Sequence, residues 1–250
     1  MRYSAPLLAC LAALCAGLVT PSAEAAPAYV VIAATAAPEE FAPGREIEAE
    51  DPVDLPAGAR LTLIGKSGLV FNIEGARHGP VAPANTAANG SDSSSDWTLL
   101  KRLVGSTQAR STVLGAARAG AGDIPAPADP WHMTTDSSGP RCTPAGQFIL
   151  WRRDASQTQD VSLRNAGARQ TGLVWSAGEH MLPAGSAFSR EDGRVAISVG
   201  KDMREFEVSV MPEAIAAQGP GAVLGWLVGR DCRRQALALI ARLHTGGSPE

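Results

Sequence analysis

Apolar and polar positions alternate in two short runs of the chain. Leu61 and Leu63 flank Thr62, and Leu69, Phe71 and Ile73 flank Val70 and Asn72. Gly65-Lys66-Ser67-Gly68 separates the runs. Period-two patterning joined by a glycine-rich turn predicts a β-hairpin. Pro56-Ala57-Gly58 turns the chain into its first strand and Gly75 ends the second. The hairpin centres a β-rich module expected over 44–82.

Apolar runs recur further on at 148–151, 161–163, 172–175, 187–188, 195–199 and 206–210. Gly167, Gly178, Gly185, Asp192-Gly193 and Gly200 punctuate them. Short strands at this spacing predict an antiparallel β unit, sandwich-like or barrel-like.

Elsewhere the period lengthens towards that of a helix. Asp96 is a candidate N-cap for a helix opening at Trp97, and a second helical stretch stops at Gly120. Together they make a helical segment over 97–122. Near the C-terminus Pro220 stands at a helix start and Gly229 breaks the run. Asp231 is a candidate cap for the last helix. Cys232, Ala236, Leu239, Ile240 and Leu243 then fall on one face. This helical hairpin would close a C-terminal unit over 123–250, giving an α+β fold.

The connecting stretches are polar or small. Residues 26–43 are rich in Ala and Pro. Val30-Val31-Ile32 has strand character, but the composition around it predicts a flexible arm. Residues 83–96 read as a low-complexity linker. That linker should uncouple the first β module and leave the helical segment packed on the C-terminal unit. Seven carboxylates against Arg45 between Glu39 and Asp54 read as a solvated segment.

The start of the chain supplies an address. Arg2 precedes an apolar run over 6–19, and Ala23-Glu24-Ala25 fits a small-x-small cleavage site. Residues 1–25 therefore read as a signal peptide. The run is too short for a membrane span, and no later stretch reaches 18 uninterrupted apolar residues. Cys10 lies inside the apolar run, so Leu7-Leu8-Ala9-Cys10 is not read as a lipidation box. The expected location is the periplasm or the medium. Cleavage leaves Cys142 and Cys232 in an oxidising space, where an isolated pair predicts one disulfide. The functional alternative is a reactive Cys232, its thiol activated by a helix N-terminus, Arg233 and Arg234.

Composition excludes more than it identifies. The chain is 45% hydrophobic and 19% charged, with net charge −3. No basic excess marks a nucleic-acid binder. Gly65-Lys66-Ser67 resembles part of a phosphate-binding loop, but the earlier glycine that pattern needs is Arg60. No G-x-S-x-G or H-E-x-x-H is present. His78, His132, His180 and His244 are not paired at helical spacing, and no metal or cofactor is expected. Trp151 and Trp175, with Trp226, have two readings: core aromatics of the strands, or a stacking surface for a ligand or partner.

Val53-Asp54-Leu55-Pro56-Ala57-Gly58-Ala59-Arg60-Leu61-Thr62-Leu63-Ile64, followed by Ser67-Gly68-Leu69-Val70-Phe71-Asn72-Ile73-Glu74-Gly75, resembles the strand-turn-strand pattern of FecR-like periplasmic β domains. The resemblance implies a small β domain in an envelope protein. The chain as a whole looks like secreted proteins of Alphaproteobacteria, which implies no activity. The expected function is non-catalytic: binding an envelope partner or ligand outside the cytoplasm. The alternative is a secreted hydrolase with a dispersed active site.

Overall fold

The computed structural model describes residues 28–65, 68–81, 98–105, 127 and 129–246. The expected signal peptide (1–25), the linker (83–96), Lys66-Ser67 and most of the 97–122 segment lie outside the described residues. No helix among the described residues is long and apolar enough to cross a membrane.

Strands β1 (Ala28–Thr35), β2 (Glu46–Glu48), β4 (Arg60–Gly65) and β5 (Val70–Glu74) form one sheet, ordered β2-β1-β4-β5. The predicted hairpin is β4–β5, with Leu61 opposite Ile73 and Leu63 opposite Phe71. The flexible arm expected over 26–43 is instead largely ordered. Within it β1 is an inner strand, antiparallel to both neighbours, with Val30 and Val31 fully buried. Tyr29 and Val31 enter one core, while Val30 and Ile32 enter another. A strand buried on both faces shows no polar alternation. Its small Ala33 and Ala34 pack against those cores, where composition alone reads them as arm. The first core is completed by Phe41, by Ile47, and by Val53 and Leu55 of β3 (Pro52–Leu55). β3 pairs with β6 (Arg77–Pro80).

The C-terminal unit holds two further sheets. β8 (Gly139–Pro144), β10 (Gln159–Arg164), β11 (Arg169–Trp175), β13 (Gly193–Val199) and β14 (Asp202–Met211) are ordered β11-β10-β13-β14-β8. β7 (His132–Thr134), β9 (Ile149–Trp151) and β12 (Met181–Pro183) are ordered β12-β9-β7. Met133 and Leu150 from the small sheet share a core with Val161, Leu163, Ile197 and Phe206 from the large one. The architecture is α+β, and no barrel closes among the described residues. Two pairings depart from the expected antiparallel pattern: β8 runs parallel to β14, and β7 parallel to β9. Pro140 and Pro144 hid β8 in the sequence. It is an edge strand, where a missing N–H is tolerated. Ala187-Phe188, expected as a strand, lies in a 3-10 turn that buries Phe188.

Helices join the two β parts. A helix α1 over 98–105 is followed by α2 (Glu213–Ala216), α3 (Pro220–Gly229) and α4 (Arg233–His244). The predicted face of α4 is buried as expected, from Cys232 to Leu243. It packs against β1 and β4, within a core that also takes Leu100, Leu103, Val104, Val30, Ile32 and Ile64. The first β module is therefore not uncoupled. Helix α1 lies against it too, with Lys101 Nζ 2.9 Å from Glu46 Oε1. Gly68 in the β4–β5 turn abuts Gly221 in α3 so closely that a Cβ on Gly221 would lie 1.7 Å from Gly68 O. Asp231 does not cap α4; the N-cap position is Cys232. Asp231 instead takes a left-handed backbone, φ 58°, and accepts a hydrogen bond from Arg233 Nε at 2.6 Å.

Candidate functional site

Helix α4 has two working stripes. Ala236, Leu239, Ile240 and Leu243 face the shared core. The other stripe carries Arg234, Leu237, Ala238, Ala241 and Arg242, the i, i+3, i+4, i+7, i+8 spacing of a second face. That stripe forms one wall of an open cleft of about 1130 Å³. β7, β8, β9 and the 136–138 turn supply the other wall, through His132, Thr134, Pro140, Arg141, Trp151 and Arg153.

The cleft is fixed from behind. Cys142 on β8 and Cys232 at the start of α4 are at disulfide distance, with Cα atoms 6.0 Å apart. One helical turn on, the buried Gln235 carboxamide accepts the Cys142 N–H at 2.7 Å. It donates in turn to the carbonyls of Cys142 and Pro130. Gln235 thus treats β8 as a neighbouring strand would and satisfies its open edge.

The charged groups at the rim are engaged in pairs. Arg233 binds Asp231 at 2.6 Å, Arg234 binds Asp136 at 2.6 Å, and Arg242 lies 3.4 Å from Asp129. Burial tends to raise the Asp136 carboxyl. The hydrogen bond and charge of Arg234, with the Thr134 and Ser137 hydroxyls, outweigh it and hold Asp136 below its usual range. Arg141 differs from the other three. Its guanidinium lies 4.5 Å over the Phe206 ring and donates to Thr134 O, Ser137 O, Ser137 Oγ and Pro140 O. No carboxylate among the described residues touches it. Burial, then repulsion from Arg234, pushes it down to about 10, against the attraction of Asp136.

The two tryptophans singled out in the sequence are not brought together as a platform. Trp175 is fully buried, under the Arg152 guanidinium at 4.8 Å. Arg152 in turn donates to the carbonyls of Gln157, Trp175, Ser176 and Glu179. Trp151 lines the cleft and stacks on His180, ring centroids 6.2 Å apart. Trp226 packs half-buried against the shared core. His132 also lines the cleft, and His78 lies exposed, 3.7 Å from Asp54. Among the described residues no three His, Cys, Asp or Glu side chains are grouped to hold a metal ion. No family model matches the chain, and no curated protein or solved structure matches it either.

His244 closes α4 against the first sheet. Its Nδ1 is 2.8 Å from Thr62 Oγ1 and its Nε2 is 2.7 Å from Thr35 Oγ1. Thr62 donates to Asn72 Oδ1, so its oxygen accepts from Nδ1–H, and Nε2 accepts from Thr35. Burial first, and the Arg60 charge second, lower the imidazole pKa from its ordinary 6.5.

Arg141, Arg152, Gln235 and His244 escaped the sequence reading. Their partners are backbone carbonyls, or residues up to 209 positions away, and no local spacing marks them.

Proposed function

We propose that the chain is a non-catalytic envelope protein that binds a ligand or partner in the cleft beside α4. The observation that carries this reading is the second stripe of α4. Leu237, Ala238 and Ala241 line an open cleft, and of the three only Leu237 also packs against the core that the first stripe fills. Apolar positions left along an open cleft are the ordinary signature of a binding surface. The rim arginines engage aspartates or backbone carbonyls, an arrangement that holds a shaped groove. The expected signal peptide and the joined Cys142 and Cys232 support a place in the periplasm or medium. The facing sheets of the C-terminal unit are read as an open sandwich that holds β7–β9 in place. The N-terminal strands remain a FecR-like module by resemblance.

Thermal-shift screening of the purified chain against a panel of envelope small molecules and peptides tests the reading. Ala241→Trp, which fills the cleft from an exposed position, should abolish the stabilisation produced by any hit. Hits that stabilise wild type and Ala241→Trp equally would overturn it, as would turnover of ester, peptide or glycoside substrates.

A further inference from the structure

We propose that the cleft takes an amphiphilic monocarboxylate: an acyl chain along the apolar stripe of α4, with its carboxylate at Arg234. The inference rests on the reading of the cleft as a ligand site and adds the chemistry of the ligand.

The middle of the cleft is apolar. Leu237, Ala238 and Ala241 line it with Trp151 and Pro140. A saturated chain is stabilised there in proportion to the apolar surface it buries. From Arg234 to Arg242 the helix axis runs about 12 Å, room for a medium-length chain.

The two ends of the cleft differ in charge. Towards the C-terminal end of α4, Arg242 and Asp129 offset each other. Beside Arg234 the cleft is lined by Arg141 and Arg153 as well, with Asp136 the carboxylate that Arg234 touches. The Arg141 side chain is bound by carbonyl and hydroxyl oxygens, which leave its charge in place. Arg233 is matched by Asp231. The lining as a whole carries Arg141, Arg153, Arg233, Arg234 and Arg242 against Asp129, Asp136 and Asp231, so positive charge is in excess. A carboxylate complements it, and the exposed Arg234 guanidinium presents the planar donors that a carboxylate accepts. A cationic ligand would meet guanidiniums in excess of carboxylates. A neutral ligand would leave the imbalance unused.

Isothermal titration of the full chain with decanoate and with decanol tests this. Decanoate should bind saturably, one per chain. Arg234→Gln, an exposed change, should weaken decanoate at least tenfold and leave decanol unaffected. Ala241→Trp should block both ligands. If decanol binds as tightly as decanoate, or decanoate ignores Arg234→Gln, the carboxylate assignment is overturned while the cleft reading stands. If decanoate does not bind but panel hits are still blocked by Ala241→Trp, the ligand class alone falls. Decanoate binding that ignores Ala241→Trp overturns both.

Discussion

His244 shows how single residues tie the molecule together. Its imidazole is a bridge between the last turn of α4 and two strands of the first sheet, and it serves that bridge in the neutral form. The charged groups facing it are Arg60, which donates to the His244 carbonyl at 2.9 Å, and Glu74, which pairs with Arg60. Its folded-state pKa is lowered, so the unfolded chain takes up the proton first as pH falls. The stability it contributes is complete above about pH 6.5, the unfolded value, and is lost as pH falls from there through the folded pKa. Melting temperature measured from pH 7.5 to 5 should fall more steeply in wild type than in His244→Gln. Parallel curves would show that the bridge carries no proton linkage. None of this was visible in the sequence, where His244 is one polar residue beyond an apolar helix face. Spacing within an element shows which face is buried, but not which distant strand a side chain on the end of that element will meet.

At the scale of elements, what could be read was what is encoded locally. The β4–β5 hairpin and the core face of α4 follow from periods of two and 3.6 within a few residues of chain. β1 was misread because both its faces are buried and alanines surround it. β8 was misread because its prolines suit an edge that only the assembled sheet defines. The cleft was missed for a related reason. The second stripe of α4 contains two arginines and two alanines beside one leucine, which read as solvent-facing until β7–β9 are placed opposite. Helix α3 offers a paired test of how closely elements meet. Gly221 touches the β4–β5 turn, and Gly225 has nothing within 4 Å of an added Cβ. Gly221→Ala should cost about 1–3 kcal/mol by overpacking. Gly225→Ala, in a helix interior, should gain about 0.5–1 kcal/mol. Urea unfolding of the two variants reads both values. Equal effects would mean that α3 does not dock on the turn.

For the whole molecule, the helices act as the layer between two β parts that the sequence divides. α1, α3 and α4 share one core with β1 and β4, and the Cys142–Cys232 link and Gln235 bind α4 to β8. Damage to the first sheet should therefore be felt at the cleft. Ile32→Ala, at a site 2% exposed, should cost about 2–5 kcal/mol and lower one common unfolding transition seen by every probe. Two separated transitions would restore the uncoupled module expected from the linker. This coupling also gives the cleft its rigid wall, since α4 is held by the shared core on one side and faces the cleft on the other. The central claim is that the ligand lies along that second stripe. Hydrogen–deuterium exchange of the full chain with and without saturating decanoate tests it directly. The account predicts slowed exchange confined to α4, to β7, to the 136–138 turn and to the start of β8. Protection at the free β11 edge or in the first sheet alone, with α4 unchanged, would contradict it.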